Sequence, residues 1–136
     1  MIDDDGNVVH ELRFAHPVER VWAALVDSGA LAQWLMPNDF EPVVGHRFRF
    51  DGGPEGGFFD VEVAELDPPH RLTWRWMIGG VATTVTITLR ADAAAAGPGT
   101  VLHLEHRDVP HDPRPNFDRG WVEKFDALAL VLKGEL

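Results

Sequence analysis

Residues 116–136 read NFDRGWVEKFDALALVLKGEL, and this stretch decides how the rest of the chain must be arranged. Its large apolar residues recur at intervals of three and four, which places their side chains on one face of an α-helix. They are Phe117, Trp121, Phe125, Leu128 and Leu132. A helix with so wide an aromatic face must cover an apolar surface of similar size. We therefore predict a C-terminal helix over residues 116–136 that packs on the remainder of the chain.

The segment from residue 46 to residue 107 alternates apolar and polar residues with a period of two. This pattern is typical of half-buried antiparallel strands. Trp74 and Trp76, for example, share one face of a predicted strand, while Arg75 lies on the other. Turn-forming residues separate the alternating runs at 51–57, 67–70, 78–80 and 92–99. The segment therefore predicts about five or six consecutive antiparallel strands that can supply the surface for the helix.

The sequence pattern in the first third of the chain predicts one strand and two short helices. Val8–Phe14 alternates like a strand, and Pro17 suits the first turn of the helix that follows it. A second short helix runs to Leu35, and Pro37 ends it. The order of elements predicts an α+β fold in which one sheet is wrapped on one helix. We expect residues 1–136 to form a single domain, with residues 1–7 as a flexible acidic tail.

Composition and charge exclude several classes of function. The chain has no cysteine, so disulfides and thiolate metal sites are excluded. Its formal net charge of −10 argues against binding to a phosphate backbone and therefore against a nucleic-acid partner. The acidic residues 1–7 resemble no signal peptide, and no apolar run approaches the ~20 residues that a membrane span needs. We expect a cytoplasmic protein that neither spans nor binds a membrane.

Four segments, in chain order, carry a resemblance to a known superfamily. They are Ala15–Leu35, Val61–Trp74, the threonine-rich run Thr83–Leu89, and Gly120–Trp121 followed by Phe125, Leu128 and Leu132. In this order they resemble the START-like (SRPBCC) helix-grip superfamily, and within it the group built like the C-terminal domain of the Hsp90 ATPase activator. The resemblance covers nearly the whole chain. It implies a curved antiparallel sheet wrapped around the long C-terminal helix, with two short helices after the first strand.

The resemblance also implies a cavity between the concave face of the sheet and the last helix. The apolar faces identified above suggest which residues line it, and buried indole N–H groups would offer hydrogen-bond donors there. The predicted ligand-binding residues are Trp34, Phe48, Phe50, Phe59, Trp74, Trp76, His106, Trp121 and Phe125, with Trp34 and Met36 near the mouth. The same residues could instead fill the core completely, and the sequence leaves both readings open.

The seven histidines do not form a recognisable metal or catalytic motif. No HExxH pair occurs, and without cysteine a zinc site would need ligands from distant strands. His46 and His106 share faces with apolar residues, so these two are the better candidates for a buried polar group. No GxSxG motif, P-loop or dinucleotide fingerprint is present either. We therefore expect no metal and no cofactor. The sequence alone identifies no catalytic residue.

Members of the superfamily include carriers of lipids and other hydrophobic molecules, aromatic polyketide cyclases and plant hormone receptors. The leading hypothesis is a protein that binds a small hydrophobic or aromatic molecule between the helix and the sheet. A second hypothesis is a cyclase or dehydratase that uses the same cavity. A third is a protein-interaction module of the chaperone-activator type, which could also form a homodimer.

Overall fold

The computed structural model describes residues 1–134, and within this range the chain forms six strands and four helices. In chain order they are β1 (Val8–Phe14), α1 (Val18–Leu25), α2 (Ser28–Trp34), β2 (Arg47–Asp51), α3 (Gly53–Gly56), β3 (Phe58–Asp67), β4 (Arg71–Ile78), β5 (Val81–Ala91), β6 (Thr100–Arg107) and α4 (Arg114–Lys133). The predicted turn at 51–57 thus contains a short helix, α3, that the sequence pattern did not indicate.

All six strands belong to one antiparallel sheet with the order β1-β6-β5-β4-β3-β2. Strands β2 to β5 each pair with the next strand along the chain, and β1 pairs with β6. A register shift between Val63 and Glu65 marks a bulge in β3, and such bulges increase the local bend and twist of a strand. With α1 and α2 following β1, this arrangement confirms the predicted α+β helix-grip fold.

The long helix α4 buries its apolar face against the sheet and α2, as its sequence pattern predicted. Its buried residues are Trp121, Phe125, Leu128, Val131 and Leu132. The helix begins at Arg114, two residues earlier than predicted, because Pro115 is tolerated in a first turn that needs no backbone donor there. Gly134 ends it in a left-handed conformation with φ of 77°. Glu135 and Leu136, which the prediction included in the helix, lie outside the described residues.

Residues 1–7 form a hydrogen-bonded turn beside β1. The N–H of Asp3 donates to the carbonyl oxygen of Asn7 at 2.9 Å, and that of Gly6 donates to the carbonyl oxygen of Asp3 at 3.0 Å. The Asp3 carboxylate also accepts from the N–H of Asn7 at 2.9 Å. The expected flexibility of this segment concerns its motion and stays a prediction. None of the helices within residues 1–134 combines the length and the apolar character that crossing a bilayer requires.

Candidate functional site

The concave face of the sheet is mostly filled by its own aromatic side chains. Trp74 and Trp76 point to this face from β4, because alternate residues of a strand share a face. Phe50, on the edge strand β2, packs its ring 5.6 Å from Trp74 and 5.1 Å from Trp76. All three side chains are completely buried. This part of the space between sheet and helix is therefore core.

The second half of α4 is sealed in the same way by the short helix α2. Trp34, at the end of α2, stacks on Phe125 with 5.9 Å between ring centroids. Its indole Nε1–H donates to the carbonyl oxygen of Ala24 at 2.9 Å, which satisfies the one polar atom of a buried ring. Leu128 is also fully buried here. These residues therefore belong to the packed core.

An open pocket of about 400 Å³ lies instead beside the first half of α4, and we call it the α4 pocket. The residues between α2 and β2, the α3 turn and the start of β3 form its other walls. Its lining consists of Leu35, Met36, Gly52, Gly56, Phe59, Trp76, Asn116, Phe117, Gly120, Trp121 and Lys124. Four of these residues contribute aromatic rings, so the surface offered to a ligand is mainly apolar.

Glycine explains why the pocket stays open at this end. A Cβ atom placed on Gly120, in the middle of the α4 wall, would meet no other atom within 4 Å. The same is true of Gly56 on the opposite wall, and α3 has no buried residue. No side chain fills the space beside these two glycines, so a gap remains between the helix and the α3 turn.

His106 is buried next to Trp121 and fixes the orientation of its ring through a hydrogen bond. The indole Nε1–H of Trp121 donates to His106 Nδ1 at 3.1 Å. The other ring nitrogen, Nε2, lies 2.8 Å from the hydroxyl oxygen of Thr83, which itself donates to the carbonyl oxygen of Trp76 at 2.6 Å. Because the Thr83 proton is used in that bond, its oxygen must accept from Nε2–H. The network therefore selects the neutral histidine tautomer that carries its proton on Nε2.

Burial lowers the pKa of His106 from 6.5 to about 3. The charged imidazolium would lose its hydration in this apolar environment, so the neutral ring is favoured. Near pH 7 the ring is neutral and both of its nitrogens are occupied by hydrogen bonds. His106 consequently has no free nitrogen with which to exchange a proton with a ligand. Its role in this geometry is to orient the ring of Trp121.

Two buried indole groups have no hydrogen-bond partner among the described residues, and both belong to β4. They are the Nε1–H groups of Trp74 and Trp76. Buried polar atoms in native proteins are nearly always paired, with protein groups or with water. Trp76 also lines the α4 pocket, so one of these two unpaired donors belongs to a residue of the pocket wall. Trp74 lies deeper, against Phe40 and Phe48, and does not line that pocket.

A second hollow, of about 570 Å³, lies on the opposite face of the sheet and has a different character. Its lining is rich in charges that are already paired. Arg49 donates to Asp60 at 2.8 Å, and Glu62 accepts from both Arg47 at 3.2 Å and Arg75 at 2.5 Å. A ligand there would have to compete with these ion pairs, so we regard the α4 pocket as the candidate site. No cluster of three or more metal-ligating side chains occurs anywhere in residues 1–134.

The sequence profile of the family described as "Activator of Hsp90 ATPase homolog 1-like protein" (AHSA1) matches residues 15–133. The chain belongs to the AHSA1 family. This confirms the assignment to the START-like superfamily that the sequence resemblance suggested. No curated protein sequence matches the chain significantly.

Solved structures of other proteins share the fold of this AHSA1-family chain. Protein MLL2253 from Mesorhizobium loti is 32% identical, with a TM-score of 0.82 over 93% of this chain and 96% of that one. DynU16, a protein in the dynemicin biosynthetic locus, is 30% identical, with a TM-score of 0.81 over 96% of this chain and 48% of that one. The chain thus spans about half the length of DynU16. The Aha1 dimer from Colwellia psychrerythraea is 19% identical, with a TM-score of 0.80 over 95% and 97% of the two chains, and this likeness concerns the fold alone.

The structure brings three of the nine predicted site residues together in the α4 pocket of this AHSA1-family protein. These are Phe59, Trp76 and Trp121, and Met36 also belongs to the lining. The other six do not line this pocket: Trp34, Phe48, Phe50, Trp74, His106 and Phe125. All six are buried core residues. Ligand binding by any of the nine stays a prediction.

Several lining residues were missed by the sequence analysis. Phe117 belongs to the apolar face of the helix one turn before Trp121, and this spacing could have identified it. Gly120 lies directly before Trp121 and carried no signal of its own. Lys124 lies one turn after Trp121, where a charged side chain is ordinarily read as exposed helix surface. The two histidines predicted as buried differ, because His106 is fully buried and His46 is only half-buried.

Proposed function

We propose that this protein binds a small hydrophobic or aromatic molecule in the α4 pocket. The observation that carries the proposal is the aromatic lining of this pocket, formed by Phe59, Trp76, Phe117 and Trp121 around about 400 Å³. Ligand sites in proteins typically enclose ~300–1,000 Å³ and combine mainly apolar walls with a few polar groups that fix orientation. The pocket has this composition, while the neighbouring core is filled and would keep a ligand at this end of the helix.

The aromatic walls are held rigidly, which supports selective binding of a flat molecule. The ring of Trp121 packs 5.8 Å from Trp76 and 5.6 Å from Phe125, and its indole nitrogen is tied to His106. Phe59 packs 5.4 Å from Trp76 and 6.1 Å from Phe117. A surface whose rings already occupy fixed positions loses little conformational entropy when a ligand binds.

Catalysis has less support than binding. Within the described residues the lining of the α4 pocket includes no histidine and no carboxylate, and the nearby His106 is neutral with both nitrogens occupied. General acid–base chemistry requires a group within hydrogen-bond reach of the reacting atom. A cyclase or dehydratase activity, which the relation to DynU16 of the dynemicin locus would favour, therefore remains an alternative without an identified catalytic group.

The interaction-module alternative has less support than binding. Among residues 1–134 the exposed large apolar side chains come from several segments of the chain: Met1, Ile2, Val43, Val44, Phe58, Val81, Val122 and Leu130. Aha1 from Colwellia psychrerythraea forms a dimer. A homodimer of this chain and a cytoplasmic location both stay predictions, and light scattering of the purified protein would measure its oligomeric state.

Two adjacent phenylalanines offer a matched test of the binding proposal. Phe59 lines the α4 pocket, whereas Phe58 is 65% exposed on the other face of β3, beside Arg49. A panel of naphthalene, indole and biphenyl derivatives should quench tryptophan fluorescence and raise the melting temperature of the wild-type protein. Phe59→Ala should weaken binding about tenfold, as the loss of an aromatic contact in a pocket does, and Phe58→Ala should leave it unchanged. If no compound of the panel produces either response, the proposal is wrong.

A further inference from the structure

Three polar side chains line the α4 pocket and carry hydrogen-bond donors. Trp76 has a buried, unpaired Nε1–H. Asn116 uses its side-chain oxygen to accept from Arg119 at 2.5 Å, which leaves its amide N–H groups as donors. Lys124 carries an ammonium group, which can only donate. A ligand that satisfied these groups would have to present acceptor oxygens.

Lys124 differs from the arginines of this acidic chain. The sequence has ten arginines and two lysines against 22 aspartates and glutamates. Within residues 1–134 every arginine has an ion pair or hydrogen bond to a protein oxygen, such as Arg13 with Asp92 at 2.7 Å. The remaining arginine contacts follow the same pattern. Lys124 has no carboxylate within 4 Å in this part of the chain, although acidic residues outnumber basic ones.

Lys124 is the one ionisable side chain in the lining of the pocket as the described residues define it. Its side chain is half-buried, and a lysine in such a position can keep its charged end in water. A net charge of −10 repels anions from the protein as a whole, so an anionic ligand needs a local cation that is not already neutralised. A neutral hydrocarbon needs neither this cation nor the donors of Trp76 and Asn116.

We propose that the ligand of the α4 pocket is an aromatic carboxylic acid, bound with its ring on Trp76, Trp121 and Phe117 and its carboxylate beside Lys124. This inference rests on the proposed function and specifies the chemical class of the ligand. The aromatic walls take up the ring by apolar contact and stacking. The ammonium of Lys124 takes up the carboxylate as a charge-assisted hydrogen bond, which is stronger than a neutral one.

Three naphthalene probes of nearly equal size test this class directly. They are 2-naphthoate, which is anionic, its neutral analogue 2-naphthamide, and the cationic 2-naphthylmethylammonium. Dissociation constants are measured by tryptophan fluorescence and calorimetry at pH 7 and low salt. The wild-type protein should bind 2-naphthoate about tenfold more tightly than 2-naphthamide, the effect expected for one hydrogen bond to a charged group, and the ammonium probe least tightly. Added salt should reduce the preference, because it screens charge interactions at a partly exposed site.

The two lysines of the chain provide a matched pair of variants. Lys124→Gln should remove the preference for 2-naphthoate, and Lys124→Arg should retain most of it. Lys133→Gln, in the last turn of α4 and outside the lining, makes the same change in net charge and should leave the preference intact.

The outcomes separate this inference from the proposed function. If the three probes bind equally well, or if the ammonium probe binds best, the carboxylate inference is overturned while hydrophobic binding stands. If Lys124→Gln keeps the full preference, the assignment to Lys124 is overturned. If none of the probes binds, both the proposed function and the proposed ligand class are wrong.

Discussion

The two halves of α4 have opposite relations to the sheet that they cover. In the second half, Phe125 and Leu128 are completely buried, and the ring of Phe125 stacks between Trp34 and Trp121 at 5.9 and 5.6 Å. In the first half, Phe117 is only half-buried and borders an open pocket, which extends as far as Lys124 at the middle of the helix. One continuous helix thus packs into the core over its last turns and forms a wall of the α4 pocket over its first.

The difference comes from what faces each half and not from the helix itself. Helix α2 crosses the second half and places the ring of Trp34 there. The element facing the first half is α3, whose sequence GPEG supplies no buried side chain. A binding site in this fold can therefore be made or closed by changing a short connection between strands while the apolar face of the long helix stays the same.

The largest test of this comparison replaces one phenylalanine in each half. Phe125→Ala should lower the free energy of unfolding by about 3–5 kcal/mol, because a sealed site cannot collapse around the missing ring. Phe117→Ala should lower it by only about 1 kcal/mol, since the side chain already borders open space. At temperatures where both variants are folded, Phe117→Ala should weaken probe binding more than Phe125→Ala does. Urea denaturation and the naphthalene titrations measure the two quantities.

Equal losses of stability from these two substitutions would contradict the division of the helix into sealed and open halves. A Phe117→Ala variant that binds the probes as tightly as the wild type would contradict the position of the site. Val122→Ala is the control, because Val122 lies on the same helix but is exposed on its outer side. It should change neither quantity measurably.

The elements of the fold could be predicted from the sequence because each has a local period. The spacing of Trp121, Phe125 and Leu128 predicted the buried face of α4, and the alternation around Trp74 and Trp76 predicted the inner face of β4. His106 was assigned to an apolar face by the same rule, and it is fully buried. These features depend on neighbours along the chain, which the sequence displays directly.

The location of the pocket could not be predicted in the same way. Whether Trp34 or a ligand covers a given turn of α4 depends on how α2 and α3 are placed, and that placement is set by contacts between distant residues. Trp34 was predicted near the mouth of the cavity, but it is a core residue because α2 packs directly on α4. Lys124 was missed because the sequence does not show that it lacks an acidic partner. That fact depends on where the acidic residues lie in the folded protein.

A second test concerns the network that joins the two halves at Trp121. The folded protein holds the pKa of His106 at about 3, whereas the unfolded chain has the ordinary value of 6.5. Between these values the unfolded state binds more protons than the native state, so stability falls as pH decreases. The stabilisation is complete above pH 6.5 and is lost progressively toward pH 3. The contribution of this one group between pH 7 and 4.5 should be about 2–3 kcal/mol.

The variant His106→Asn isolates that contribution, because asparagine does not titrate and its side-chain oxygen can still accept from Trp121. The variant should be less stable than the wild type at pH 7, yet lose less stability on acidification, and denaturant titrations at several pH values measure both effects. If the variant keeps the full pH dependence of the wild type, that dependence comes from groups other than His106. Probe binding should also weaken if the Trp121 ring depends on this hydrogen bond for its orientation.

The smallest expected effect comes from the glycine that keeps the first half of α4 open. Gly120→Ala adds a methyl group into free space within a helix, so it should raise the free energy of unfolding by about 0.5–1 kcal/mol. Gly120→Leu extends further into the pocket and should abolish probe binding while the protein stays folded. If Gly120→Ala stabilises the protein and Gly120→Leu abolishes probe binding, the open space beside Gly120 serves binding and is not a packing defect. If Gly120→Leu binds the probes normally, the wall formed by α4 does not border the ligand, and the contrast between the two halves concerns stability alone.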